Sequence, residues 1–390
     1  MRISRVEQQA RTRRAVLEAA RSEFAERGFI EAKIDRIADR ADLTRGAVYS
    51  NFASKRALYL AVLLDTANSD TPPTGSNALP LSDDASSRDA ASGGASSGSG
   101  DGGGLDGAGR IVALDVAGAV EAFARTWLER LPLAYGDTTA GRLQARSLTG
   151  VFDEDPRGRA VLAQITRLES LLLAVALESC RARTAGRRVR LAELILTMLH
   201  GAAGLAETAP GFGDAFDVAR ACRHLAGLDL ADEWDPPYLP YVHPARLVRE
   251  AWIPPGETID ELSGRPFTVG DGMIVALGPG RIGGAEDAVR AARPGEIVTI
   301  AAVIDDPAET GALVRLRLTD LTANLRRLFG PAYHPSLRLV LDDTGALASA
   351  VGVTPAFDTE VSIRVSADTI VNRAEGPGAA YATATARDSP

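Results

Sequence analysis

Residues 28–55 read GFIEAKIDRIADRADLTRGAVYSNFASK, and this stretch decides the fold of the N-terminal part. Ile34, Ile37 and Ala38 recur at helical spacing, a break follows at Asp42-Leu43, and Thr44 opens a second short helix with Ala47, Val48 and Phe52 on its inner side. Two short helices joined by such a turn are the helix-turn-helix signature. On the second helix Arg45, Tyr49, Ser50 and Asn51 face outward, and Ser54-Lys55 closes it. Groups able to reach phosphates and base edges therefore sit on a short rigid rod.

Upstream, Ala15, Val16, Ala19, Ala20 and Phe24 predict a first helix over 11–27, with Gly28 at its C-terminal cap. Downstream, Ser54 caps a fourth helix carrying Ala57, Leu58, Ala61, Val62 and Leu64 and ending near Thr66. These residues, in this order, resemble the DNA-binding domain of the TetR family of transcription repressors. The resemblance rests on Gly28-Phe29, Ile37-Ala38, Thr44-Arg45-Gly46, Tyr49, Phe52 and Ser54-Lys55. It departs at Ala32, where the family has a Thr cap, and at Asp42, where it has Gly. Asp tolerates the left-handed turn, and Lys33 or Asp35 stands in for the cap, or the second helix frays at its start. The resemblance implies a homodimer on a palindromic operator in double-stranded DNA, one Thr44–Phe52 helix per major groove. Lys33, Thr44, Arg45, Gly46, Tyr49, Ser50, Asn51 and Lys55 are its expected DNA contacts. Arg45 is the base reader, Thr44, Tyr49 and Lys55 bind phosphate, and Arg2, Arg5 and Arg11 add electrostatic affinity.

The charge distribution agrees. The 390 residues carry a net charge of −8, yet residues 1–66 hold thirteen Lys/Arg against nine Asp/Glu, a basic end of +4 on a body of −12. The length predicts two or three domains. Cys180 and Cys222 stand far apart in no CxxC pattern, which argues against a disulfide framework or a cysteine metal cage and fits a reducing cytoplasm. No run is expected to reach the roughly 18 apolar residues of a membrane span. HExxH is absent and none of the four histidines lies in a recognisable catalytic motif, so neither enzymatic activity nor a cofactor is expected.

Residues 67–109 are rich in Ser, Gly, Asp and Pro and are expected to form a disordered linker. From 110 to 230 apolar stripes over 116–131, 140–152, 159–180, 189–205 and 216–228 predict five helices, which resemble the family's ligand-binding and dimerisation domain. Leu194, Met198, Leu199 and Ala202 are candidates for packing across a two-fold axis. Trp127, Arg142, Phe152 and His200 are candidates for lining a pocket for an unidentified small-molecule effector. Docking of the first helix on the helical body is expected to carry the signal to the DNA-reading helices.

After a Pro-rich linker over 231–250 the pattern changes to alternating strands and helices over 251–390. Strands are expected at 273–277, 297–304 and 337–341, helices at 285–292, 321–329 and 345–351, and a closing hairpin at 361–365 and 369–373. This order resembles the thioredoxin-like fold of the peroxiredoxin type, which implies a cis Thr354–Pro355 bond. Where that fold's redox members place a cysteine, this chain reads Gly278-Pro279-Gly280-Arg281-Ile282-Gly283-Gly284. Without a thiolate there is no disulfide exchange.

The expected architecture is an all-α N-terminal two-thirds followed by a smaller α/β thioredoxin-like domain without catalytic cysteines. The expected function is transcriptional repression relieved by an effector in the helical domain. Two alternatives stand beside it: a signal received by the tail through a protein partner, and redox sensing by Cys180 or Cys222.

Overall fold

The computed structural model describes residues 5–70, 115–129, 143, 148, 150–180, 186–209, 211–237, 242–330 and 333–386. The expected linker lies outside the described residues from 71 onward, as do Arg142 and just over half of the helix expected over 140–152.

Helix α1 (Arg5–Glu31) bends at Gly28, whose φ of 71° only glycine adopts readily, so the ordinary helix ends where the cap was expected. Val16, Ala19, Ala20 and Phe24 are buried, whereas Ala15, expected on the same stripe, is exposed. α2 (Ile34–Arg40) and α3 (Arg45–Asn51) follow, joined through Asp42 at φ 54°, the left-handed turn that an aspartate permits. α4 (Lys55–Asp70) starts with Ser54 Oγ accepting from the Ala57 amide at 2.9 Å. Its Tyr59 is fully buried, edge-on to Phe24 at 4.8 Å and against Phe29 at 5.3 Å, and locks α4 onto α1.

The helical body is built from α5 (Val116–Leu128), α6 (Pro156–Glu178), α7 (Val189–Thr208) and α8 (Ala215–Leu225). Aspartates cap three of them: Asp115 accepts from Gly118, Asp155 from Gly158 and Asp214 from Phe216. Asp155-Pro156 is thus a start signal, the proline falling in the first turn where its missing N–H costs nothing. The expectation of no membrane-length apolar segment needs correction. α6 and α7 are both long and apolar enough to cross a membrane by length and composition, and most of α6 is buried against its neighbours.

The tail carries a six-stranded mixed sheet in the order β1-β8-β7-β4-β5-β6. Its strands are β1 (Arg246–Ala251), β4 (Gly272–Leu277), β5 (Val298–Val303), β6 (Leu337–Asp342), β7 (Glu360–Ser366) and β8 (Thr369–Glu375); β2 (Glu257–Asp260) and β3 (Arg265–Thr268) form a separate hairpin. β4, β5 and β6 run parallel, Val275 opposite Ile300 and Ile300 opposite Leu339, while β7 lies antiparallel to β4 and forms a hairpin with β8. The helices are α9 (Ala285–Ala291), α10 (Ala312–Phe329), entered through a wide turn over Pro307–Gly311, α11 (Ala346–Ala350) and α12 (Ala379–Thr385). β1 begins inside the expected Pro-rich linker.

The expected cis Thr354–Pro355 bond is not found: every described peptide bond is trans. The chain reverses only after the proline, where the Thr359 amide donates to Ala356 O and Thr359 Oγ1 accepts from the Ala356 amide, so no cis bond is needed to turn it.

The tail is not a separate bead. One apolar cluster runs from Phe24 and Ile37 through Phe123 and Leu168 to Met273, Ile300 and Leu339 on one face of the sheet. The opposite face holds its own cluster around Ile274, Val303, Ile363 and Trp252. Polar bonds seal the joint between body and tail: the Gly283 amide donates to Gln164 Oε1 at 2.9 Å, and Arg290 pairs with Asp232 at 2.6 Å.

Candidate nucleic-acid interface

Helix α3 is anchored by Val48 and Phe52, both buried, and begun by Thr44, whose hydroxyl accepts from the Ala47 amide at 3.2 Å. That leaves Thr44, Arg45, Gly46, Tyr49 and Ser50 exposed, with Lys33 exposed just before α2. The Arg45 guanidinium lies 5.6 Å from the Tyr49 ring centre and 3.5 Å from Asp35, so it rests on the helix surface with most of its donors free. Ser50 Oγ donates back to Ala47 O at 2.9 Å.

Two expected contact residues are already engaged. Asn51 Nδ2 donates to Ala47 O at 2.9 Å, and the Asn51 carbonyl accepts from Arg13 at 3.0 Å. Lys55 Nζ donates to Ile30 O at 3.1 Å and sits 4.9 Å from the centre of the Phe29 ring; its burial lowers its pKa. Lys55 therefore satisfies a carbonyl left open where α1 ends.

The missing cap of α2 is supplied from another helix. Ala32 is buried, neither Lys33 nor Asp35 caps with its side chain, and the Lys33 amide donates instead to Glu23 Oε1 at 3.3 Å. Glu23, fully buried on α1, is ringed by Arg27 at 3.5 Å, Arg36 at 3.4 Å and Arg40 at 3.4 Å. A carboxylate at a helix N-terminus also suits the helix dipole. The sequence signal was a glutamate on the apolar stripe of α1; its partners lie too far along the chain to be read locally.

The helix-turn-helix unit is fastened by Arg56. Its Nη1 reaches Asp155 Oδ2 at 2.6 Å and Glu309 Oε2 at 3.0 Å, and its guanidinium lies 5.0 Å from the Phe152 ring centre. Ser54 Oγ donates to the other oxygen of Glu309. Asp155 has its pKa lowered, first by the Gly158 amide and then by Arg56. The first helix contributes Ile30, whose side chain approaches Gly150 so closely that a Cβ there would lie 2.6 Å away. The ionic contacts come from α4.

Of the expected pocket residues, Trp127 and His200 meet edge to face at 5.2 Å, but Phe152 lies at the Arg56 joint instead. The group that meets His200 Nε2 is a tail side chain: Arg317 Nη2 at 3.1 Å, itself paired with the buried Glu169. Burial and then Arg317 lower the pKa of His200, and Glu169 opposes them. Leu199 is fully buried and cannot cross a two-fold axis, whereas Leu194 is half exposed. Burial raises the pKa of both cysteines, Cys222 up to about 11, with its sulfur 3.6 Å from Met198 Sδ. Among the described residues no three His, Cys, Asp or Glu side chains cluster as metal ligands.

The model for bacterial regulatory proteins of the tetR family matches residues 16–62, the span from mid-α1 into α4. Residues 16–62 form a TetR-family helix-turn-helix domain. The HTH-type transcriptional activator FasR of Mycolicibacterium smegmatis is 48% identical over 48 residues, which are 12% of this chain and 22% of that protein. The chain thus spans about a fifth of the curated relative it matches. Solved structures similar to it include NalD, the secondary repressor of the MexAB-OprM efflux pump in Pseudomonas aeruginosa, with 18% identity and a TM-score of 0.32 over 58% of this chain and all of that one. Another is a Mesorhizobium loti protein described as a TetR-family regulator, with 15% identity and a TM-score of 0.25 over 56% of this chain and 95% of that one. The match takes in α2 and α3 with parts of α1 and α4, and the tail sheet lies beyond the matched residues.

Proposed function

We propose that this chain is a DNA-binding transcriptional repressor that works as a homodimer in the cytoplasm and has no catalytic activity. The carrying observation is the exposed face of α3 within the TetR-type domain, with Arg45, Tyr49 and Ser50 outward and Val48 and Phe52 inward. Arg45 reads a base edge, and Lys33, Thr44 and Tyr49 contact phosphates, while Gly46 lets the backbone approach the DNA. Asn51 and Lys55 serve mainly by holding α3 and α4 in place, with phosphate contact secondary. Dimerisation through α7 and α8 is supported by Leu205, Phe212, Phe216 and Leu228, all of them exposed there. Gly201 and Gly204 have open space where a Cβ would stand, which suits close helix approach.

The effector reading is supported by the Trp127–His200 corner, where a ligand displacing Arg317 changes how the tail sits on the body. A second reading, in which the tail itself receives the signal by docking a protein, is favoured by the direct Ser54–Glu309 and Arg56–Glu309 contacts. Redox sensing is disfavoured by the raised thiol pKa values. A thioredoxin-like, peroxiredoxin-type ancestry for the tail is supported by three parallel strands flanked by an antiparallel hairpin. The loop after β4 is packed without a reactive group: a Cβ on Gly278 would stand 2.0 Å from Ala356 O.

Selection of bound sequences from random duplexes tests the central reading. A palindrome with half-sites about one helical turn apart is expected; binding with no sequence preference overturns it.

A further inference from the structure

A cavity of about 240 Å³ lies between the TetR-type domain and the tail. One wall is Phe52 at the end of α3 with Ala57, Ala61 and Leu64 along α4; the other includes Ala308 in the turn that enters α10 and Ala312 at its start. Small side chains on both helices let them come close yet leave the space between them open. The volume equals on the order of eight water molecules at roughly 30 Å³ each, enough for a small metabolite and too little for a nucleotide.

Its charge narrows the occupant. Arg13 lies over the Phe52 ring at 4.2 Å and donates to the Asn51 carbonyl at 3.0 Å, and among the described residues no carboxylate pairs with it. A guanidinium has five N–H donors, so most of those on Arg13 remain available. Arg315, also on the wall, is neutralised by Asp343, which lies on the wall as well. The lining thus carries one uncompensated positive charge above an apolar floor. A single uncompensated charge leaves a multiply charged anion unbalanced, and the alanines leave a polyol without partners.

We propose that this cavity binds a small amphipathic carboxylate, its carboxylate on Arg13 and its apolar body between α4 and α10. Arginine is suited to the task, since its planar fork matches a carboxylate in two parallel bonds. Such a ligand touches Phe52, the residue that ends α3, and the tail at once. It thereby couples the orientation of the DNA-reading helix to an acid bound outside the helical body.

Isothermal titration of the full-length chain with benzoate, hexanoate and neutral benzamide tests this without DNA, so a failure of the DNA-binding reading leaves the result interpretable. Saturable binding of at least one acid, one per chain, is expected, with benzamide at least about tenfold weaker. Arg13→Gln removes the charge and Ala308→Phe fills the mouth. Both positions are exposed, so folding is spared, and each variant is expected to weaken the acid at least about tenfold. Absence of saturable binding by either acid, or affinity unchanged in both variants, overturns the assignment.

Discussion

Arg56 Nη1 stands 2.6 Å from Asp155 Oδ2, while the other oxygen of the same carboxylate caps α6 by accepting from the Gly158 amide at 3.0 Å. One side chain therefore both begins a body helix and holds the DNA-binding domain. Asp155→Asn keeps an oxygen for the cap but loses the charge, and Asp155→Ala loses both. Unfolding in urea is expected to show a loss of about 1 kcal/mol for Asn and about 2–3 kcal/mol for Ala. Equal losses for the two would mean that only one of the bonds matters.

The same carboxylate sets an acid limit. Its folded pKa lies below the unfolded value, so its contribution is complete above an unfolded pKa of about 3.9 and is lost as pH falls through the lower, folded value. His200 acts higher on the scale. Its folded pKa is lowered too, so the stability it allows is complete above about pH 6.5 and declines below that, as the unfolded chain takes up the proton first. His200 faces Arg317, Glu169 and Trp127. Thermal unfolding followed from pH 7.5 to 5.5 is expected to fall less steeply in His200→Gln than in the parent chain; identical slopes count against the assignment.

Glu169 is buried and Arg317, from the tail, meets it at 2.9 Å through Nε. Removing one partner strands the other, so Arg317→Met is expected to cost about 3–5 kcal/mol, whereas the double change Glu169→Leu with Arg317→Met costs much less. A double-mutant cycle read by urea unfolding checks this, and additive losses exclude the pair as a unit. Arg317→Lys separates charge from shape, because an ammonium cannot reproduce the planar fork.

Glu23→Gln removes the charge that three arginines share and weakens the acceptor for the Lys33 amide. A stability loss of about 2–4 kcal/mol is expected. Hydrogen exchange provides the specific readout: amides at the start of α2 open faster while those of α4 change little. A uniform change across both helices would point to general destabilisation instead.

What was legible in the sequence was what local chemistry decides. Thr44 and Ser54 announce helix starts through their own hydroxyls, and Asp42 takes the left-handed turn because of its own short side chain. Strands β4, β5 and β6 stand out as apolar runs because an apolar cluster covers each face of the sheet they form. β1 went unread because its burial pattern is almost wholly exposed, and α12 because its buried side chains are alanines and a threonine with no contrast to their surroundings. Arg56 and Arg317 look like ordinary surface charges until the fold brings Asp155, Glu309 and Glu169 to them. Partners so distant in sequence leave no periodicity. The α3 face was therefore legible, and its fastening to the body and tail was not.

The division of labour on α3 gives the remaining prediction. Arg45 is exposed and held only loosely by Asp35 and Tyr49, so its loss removes no structural support. Arg45→Ala is expected to cost about 1–3 kcal/mol on the selected palindrome and to relax preference at one base pair, with little effect on random duplex. Lys33→Ala should weaken all sequences alike and reduce the salt dependence by about one phosphate contact. Lys55→Ala is different from both, because its ammonium is bound to Ile30 O and lies on Phe29. It is expected to lower the unfolding temperature together with the affinity, and Lys55→Arg to restore part of each. Binding isotherms on specific and random duplexes at two salt concentrations, beside melting curves of the same variants, distinguish the three roles. Equal losses on both duplexes for Arg45→Ala would make it a phosphate contact and leave base reading to Tyr49 and Ser50.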